Sequence, residues 1–194
     1  YNAFFLTVTG RNDWSSTLPK GNNSYFYPSV AVSTLLSEYI KLPKYIDYLK
    51  AHASWAVVSS DLDPYSIVST YSNSTLYGAT PSVSYPSALK NSDIKPQKTT
   101  SYEAGLATSF ANNRASLELT YYHVVDENQI IDLPISEASG YTSRKVNGNV
   151  SKTNGLELVL GVVPIKRKKF SWSLTTNWTT SIRKLTEVYG VMAK

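Results

Sequence analysis

The chain has 194 residues, room for one domain of ordinary size, with 17% charged residues, a formal net charge of +5, and 15 Tyr against 5 Phe and 4 Trp. It has no Cys, which excludes disulfide frameworks, thiolate nucleophiles and cysteine zinc sites. The modest basic balance does not mark a nucleic-acid binder, and no apolar run approaches the ~18–20 residues that a membrane-spanning helix needs.

The opening Tyr1-Asn2-Ala3-Phe4-Phe5-Leu6 already reads as the middle of a strand, with no leader before it. We therefore expect part of a longer protein. The first predicted strand runs from Tyr1 to Thr9 and places Phe4, Leu6 and Val8 on one side. A polar connector carrying Trp14 follows. The second strand, Tyr25 to Leu35, aligns Phe26, Pro28, Val30 and Val32; Pro28 has no N–H to donate, so irregularity is expected near its start. The connector from Glu38 to Tyr48 has room for a helical turn over Leu42 to Tyr48.

Lys50 to Ser59 sets Ala51, Ala53, Trp55 and Val57 against His52 and Ser54. The longest polar connector comes next and bears Tyr65, Tyr71, Tyr77 and Tyr85. Its Asp61-Leu62-Asp63 reads as turn-forming acids before Pro64, because the EF-hand pattern of a calcium loop is missing. Tyr102 to Phe110 sets Tyr102, Ala104 and Leu106 against Glu103 and Gly105. After a tight turn at Ala111-Asn112-Asn113, Arg114 to His123 sets Ala115, Leu117, Leu119 and Tyr121 against Ser116, Glu118, Thr120 and Tyr122. Beyond another long connector, Leu156, Leu158, Leu160 and Val162 oppose Glu157, Val159 and Gly161. A turn at Pro164 to Lys169 leads to Phe170, Trp172, Leu174 and Trp178 against Ser171, Ser173, Thr175, Asn177 and Thr179.

The period is two throughout, so the fold is all-β, with about seven strands of roughly 10 residues. Long polar connectors largely alternate with tight ones, as in an antiparallel transmembrane β-barrel of up-and-down type. A soluble β-sandwich that binds glycans through loop aromatics also alternates and stays open as an alternative. In a barrel, Glu103, Glu118 and Glu157 face the polar lumen, because a charge turned toward lipid is costly. There they have a role in lining that lumen or are simply solvated. Trp14, Tyr65, Tyr71, Tyr77 and Tyr85 are candidates for contact with a ligand or partner; the plainer reading is that they anchor loops or sit in an interfacial girdle.

Catalytic chemistry finds no support. There is no G-x-S-x-G elbow, His52 and His123 lie on different strands without zinc-site spacing, and no carboxylate pair is indicated. The basic run Lys166-Arg167-Lys168-Lys169 reads as a solvated turn. We expect no enzyme, no metal and no cofactor.

Five stretches, in order, carry a resemblance. They are Thr9-Gly10-Arg11-Asn12-Asp13-Trp14-Ser15-Ser16 with Tyr25-Phe26-Tyr27-Pro28-Ser29; Tyr48 to Trp55 with Ser60-Asp61-Leu62-Asp63-Pro64-Tyr65; Ile94-Lys95-Pro96-Gln97 to Gly105; Asn113-Arg114 through Tyr121-Tyr122; and Ser139-Gly140-Tyr141 with Val146-Asn147-Gly148 and Lys152 to Leu158. Together they resemble the SusC/RagA-like TonB-linked outer-membrane transporters of Bacteroidota. The resemblance implies a plugged barrel of about 22 strands, of which residues 1–194 form the later part. The plug domain and the C-terminal strands are expected to lie outside this chain. It also implies import of an oligosaccharide or peptide substrate, energy supplied by the TonB complex through the missing N-terminal part, a SusD-like surface lipoprotein as partner, and outer-membrane lipid around the wall.

Overall fold

The computed structural model describes residues 3–189 together with 191 and 192. Tyr1 and Asn2, where the first strand was expected to start, lie outside the described residues. Along the chain the strands are β1 (Phe4–Trp14), β2 (Ser24–Leu35), β3 (Ile46–Ser60), β4 (Ser72–Asn73), β5 (Val83–Ser84), β6 (Ala88–Leu89), β7 (Gln97–Phe110), β8 (Ala115–Glu127), β9 (Ile130–Pro134), β10 (Ser143–Asn147), β11 (Val150–Arg167), β12 (Phe170–Val188) and β13 (Val191–Met192).

One antiparallel eight-stranded sheet forms a wall in the order β1-β2-β3-β7-β8-β11-β12-β13, so that each wall strand pairs with the wall strand next in sequence. Its seven long strands are those expected from the alternation; the two-residue β13 adds to the end of β12. The ends β1 and β13 do not pair with each other, so this wall is not closed.

Register carries the period-two pattern across the whole wall. Directly opposed residues share a face. Val8 pairs with Val30, Val30 with Trp55, Trp55 with Tyr102 and Tyr102 with His123. Further along, Leu106 pairs with Leu119, Leu119 with Leu158 and Leu158 with Trp178. The apolar sets of all seven long strands therefore merge into one band. The run from Trp172 to Ile182 is about 33 Å long at ~3.3 Å per residue, and spans about 23 Å if tilted ~45°, close to the ~25 Å apolar belt of an outer-membrane barrel.

This band is not covered by protein. On the interior strands β7 and β8, Tyr102 is 49% exposed, Leu106 46% and Tyr121 49%. Among the described residues the buried apolar set is only Ala3, Leu18, Val57, Ile94 and Val146. A β-sandwich buries one face of each sheet against the other. Among the described residues no second sheet packs on this band, as a sandwich would require, and an uncovered apolar face is suited to lipid.

Several boundaries differ from the sequence expectation. β1 continues to Trp14, so Trp14 ends a strand rather than decorating a loop. Pro28 sits inside β2 opposite Gly10. Within the stretch Leu42 to Tyr48 the chain makes a single hydrogen-bonded turn, Ile46 N–H donating to the Pro43 carbonyl at 2.9 Å; the 3-10 turn lies earlier, at Leu36–Glu38, and Ile46 already belongs to β3. Pro164 does not end β11; a register shift between Val162 and Ile165 accommodates it, and the connector shrinks to Lys168 and Lys169. The Ala111-Asn112-Asn113 turn is as expected, with all three residues at positive φ and the Asn113 N–H donated to Asp47 Oδ2 at 2.9 Å.

The connectors after β2, β7 and β11 lie at one end of the wall. Those after β1, β3 and β8 lie at the other, and the two longest, after β3 and β8, are both at that end. Above that end the loops build a small sheet, β6-β10-β9, and the β4-β5 hairpin. Ile94, fully buried, and Val146, 4% exposed, supply apolar burial in this loop region.

Candidate functional site

The second face of the wall is polar. Glu103 stands opposite Ser54 and Tyr122, Glu157 opposite Thr120 and Thr179, and Glu118 opposite Ala107 and Val159. The three acids thus occupy the face opposite the apolar band. They step across three adjacent strands rather than meeting at a point. His52 joins Glu103, its Nε2 lying 3.4 Å from the carboxylate. The His52 ring lies over Gly105, and the Tyr122 ring over Gly155; a Cβ on either glycine would come within 2.4 Å and 2.1 Å of the respective ring atoms. Glycine at these positions lets the aromatic rings lie flat along the wall instead of blocking the space in front of it.

Toward the long-loop end the polar face closes into a hydrogen-bonded group. Asp126 accepts from Thr99 Oγ1 at 2.7 Å and from Ser151 Oγ at 3.2 Å. Arg183 donates to Ser151 Oγ at 3.1 Å and 2.8 Å and to Asp126 at 3.3 Å, and Gln129 donates to Ser151 at 3.3 Å. This group ties β7, β8, β11 and β12 at the base of the loop between β8 and β11. On the same face near the first strands, Arg11 binds Asp13 through both nitrogens, and its guanidinium carbon stands 5.6 Å from the centre of the Tyr27 ring.

The loops above are fastened to one another. Asp61 accepts from Ser15 Oγ at 2.6 Å and Thr17 Oγ1 at 3.2 Å. The Ser15 hydroxyl, ahead of that of Thr17, holds the Asp61 carboxyl below its ordinary value against a smaller desolvation effect. Asn147 accepts from the Lys95 N–H at 2.7 Å and donates to the Lys95 and Asn128 carbonyls at 2.9 Å and 3.0 Å. Tyr71 and Tyr85 come together with Tyr141: the ring centres lie 5.6 Å and 5.4 Å apart, and the hydroxyls of Tyr85 and Tyr141 are hydrogen-bonded. That bond holds the Tyr85 hydroxyl above its ordinary pKa, with lesser contributions from desolvation and from the charge of Tyr141.

Trp14, Tyr65 and Tyr77 do not join this group and are 71%, 75% and 87% exposed. Sequence reasoning missed Tyr141 as a partner of Tyr85, although the signal lay in the Ser139-Gly140-Tyr141 stretch. It also missed the group around Ser151, whose members have no shared spacing in sequence. The inventory on this side is hydroxyls, amides, aromatic faces, a few carboxylates and the basic side chains of Arg11, Arg183 and His52. Such groups are able to hydrogen-bond a polar ligand. Among the described residues no three His, Asp or Glu side chains gather as a metal-ligand set.

A family model for the TonB dependent receptor-like β-barrel matches residues 1–190. A TonB-dependent receptor of Formosa agariphila is 26% identical over 193 residues, covering 97% of this chain and 20% of that protein. The TonB-dependent receptor SusC of Bacteroides thetaiotaomicron is 26% identical over 200 residues, again covering 97% of this chain and 20% of the relative. The chain thus spans about a fifth of the length of these curated relatives. Among solved structures, the RagAB peptide importer in its "closed-closed" state superposes with a TM-score of 0.85 at 22% identity, covering 97% of this chain and 21% of the other. The siderophore receptor PirA from Pseudomonas aeruginosa superposes with a TM-score of 0.62 at 17% identity, covering 96% of this chain and 32% of the other. At these identities the structural likeness is one of fold.

Proposed function

The chain belongs to the TonB-dependent receptor-like β-barrel family, a family of outer-membrane receptors and not of enzymes, and on that premise we propose that it is a wall segment of an active nutrient importer. Residues 1–194 form part of the barrel domain, with the plug and further strands supplied by the rest of the protein. The observation that carries this reading is the pairing register. It sets an uncovered apolar band on one face and a hydroxyl- and carboxylate-bearing surface on the other. Lipid meets the first face and a polar solute passes along the second.

In this reading Glu103, Glu118 and Glu157 line the path or meet the plug. Tyr71, Tyr85 and Tyr141 form an aromatic group within the outer loops, where a sugar ring or a peptide side chain finds a stacking face. Tyr65, Tyr77 and Trp14 stand exposed on the loop side for contact with a lid of the SusD-like lipoprotein type. The substrate class is an oligosaccharide or a peptide. TonB acts through the part of the protein outside this chain.

The test is uptake by cells that carry the full-length receptor in place of their own. Labelled oligosaccharide and peptide pools are offered with the proton gradient intact or collapsed. Accumulation of one pool that depends on both the receptor and the gradient is the expected result. Uptake that ignores the gradient would overturn the reading.

A further inference from the structure

The polar face holds a cavity of about 520 Å³ at the end of the wall that carries the β7–β8 turn. Its size lies within the ~300–1,000 Å³ of small-ligand pockets. Two cross-strand rows make its floor. Tyr48 on β3, Ser109 on β7 and Ser116 on β8 are directly opposed, and Ala107, Glu118 and Val159 form the next row. Strands β3, β7, β8 and β11 each have both neighbours within the described wall, so the floor is complete as it stands.

Two features of this cavity point to a ligand. The first is Ser109, which is 9% exposed. Its hydroxyl is one of two buried side-chain polar atoms that lack a hydrogen-bond partner among the described residues. Buried hydroxyls are as a rule paired, so this one calls for a group that enters the cavity. The second feature is an excess of acceptors. Glu118 lines the cavity and takes part in no ion pair among the described residues. Asp47 lines it as well, at the bulge between Ile46 and Tyr48, where its Oδ2 accepts the Asn113 N–H at 2.9 Å. Lys50 stands in the Glu118 row, beyond Ala107 on β3, and makes no ion pair with it.

Carboxylates only accept, so their complement is a cationic donor. A metal ion finds too few ligands, since no three His, Asp or Glu side chains gather among the described residues. A guanidinium suits the cavity better than an ammonium. Its N–H groups reach several acceptors at once, and its weaker hydration lets it settle beside a buried hydroxyl. Tyr48, Ala107 and Val159 offer aromatic and apolar surface to its plane and its stem. We propose that this cavity is a subsite of the polar path that receives the guanidinium of an arginine in a peptide substrate. The site rests on the importer reading of this wall, and within that reading it selects arginine-bearing peptides.

The experiment uses the full-length receptor, purified in detergent and titrated by calorimetry with the peptide Gly-Gly-Arg-Gly-Gly or with its citrulline counterpart, which keeps the shape without the charge. Wild type should bind the arginine peptide about 10–100-fold more tightly than the citrulline one. Glu118→Gln should erase that preference, and Ser109→Ala should cut it by about 3–10-fold. Ser109→Ala has a second readout. Without peptide it removes a hydroxyl that has no partner, so its denaturation midpoint should equal or exceed that of wild type. Equal binding of the two peptides by wild type, or no binding of either, overturns the site. A lowered midpoint for peptide-free Ser109→Ala would mean that another part of the polypeptide already fills the cavity, and overturns the substrate as its occupant. Cells whose uptake of the arginine peptide ignores the proton gradient, with the preference over citrulline intact, would uphold the site and fault the importer reading alone.

Discussion

The ring of Tyr122 occupies the space a side chain at Gly155 would fill. The two residues are cross-strand partners on β8 and β11, and a Cβ built on Gly155 would lie 2.1 Å from Tyr122 Cζ and 2.4 Å from its hydroxyl oxygen. Gly155→Ala must therefore lift the ring off the wall and into the space before it. The expected cost is about 1–3 kcal/mol of folding stability, the range for overpacking a fitted contact. In a Tyr122→Ala background the same change should cost almost nothing, leaving a coupling of about 0.5–3 kcal/mol. Denaturant unfolding of the full-length receptor in lipid vesicles, followed by heat-modifiable gel mobility, measures both. Equal costs in the two backgrounds would show that the ring does not lie there.

Ser151 is 2% exposed, and its hydroxyl accepts from Arg183 and Gln129 while donating to Asp126. Ser151→Ala leaves those donors without their shared acceptor and takes one donor from the Asp126 carboxylate. The expected cost is about 1–3 kcal/mol, as for stranding buried polar groups. The effect should be local to the loop rising from β8 and β11. Amide exchange across residues 128–149 should quicken in the variant, with β1 and β2 unchanged. Uniform quickening across the wall would mean that the group holds the sheet rather than the loop.

Asp61 gives the loop cluster a pH dependence. Its carboxyl is held below the ordinary 3.8 by Ser15 first and Thr17 second. A group with a lowered folded pKa contributes stability that is fully present above the unfolded value and is lost as pH falls through the folded one. The tie between the loop after β1 and the loop after β3 is therefore intact above about pH 4 and released in more acid solution. The carboxylate is exposed, so the effect is small and confined to the loops. Pepsin cleavage of the full-length receptor between pH 2 and 5 reads it: cutting near residues 15–17 and 60–66 should rise with acidity in wild type. In Asp61→Asn it should be high and flat. A wild-type profile that matched the variant would remove Asp61 as the fastener.

The wall was legible because period two needs no tertiary information. Leu156, Leu158 and Leu160 announce a half-apolar strand whatever pairs with them, and the Asn pair at the β7–β8 turn suits positive φ. Strand ends were less legible. Pro164 reads locally as a breaker, yet the register shift at Val162 and Ile165 lets β11 pass it. The loop sheet left no periodic signal, since β6 has two residues and β9 and β10 five each. The group around Ser151 was invisible for a different reason: its members come from separate strands, and only the pairing register brings them together. Tyr71 and Tyr85 were legible as loop aromatics, but their meeting with Tyr141 depends on how separate connectors fold over one another. The alternation placed Glu103, Glu118 and Glu157 on the face opposite the leucines; what they touch during transport is a separate question, open to mutation.

Two adjacent positions on β11 test which face meets lipid. Leu158 lies in the apolar band opposite Leu119 and Trp178, while Val159 lies on the polar face opposite Glu118 and Asn177. Leu158→Lys should cost about 2–4 kcal/mol, the depth-dependent penalty for a lysine near the bilayer midplane. Val159→Lys carries the same side chain one residue away and should change stability by no more than about 0.5 kcal/mol, because its ammonium reaches the polar space beside Glu118. Adding Glu118→Gln to Val159→Lys should then remove any gain from that pairing while leaving Leu158→Lys as damaging as before. Folding yield into vesicles and the denaturation midpoint of the full-length receptor give both numbers. If Val159→Lys proved the more damaging of the two, the apolar band would be facing inward, and the acids at Glu103, Glu118 and Glu157 would have to be moved to the lipid side.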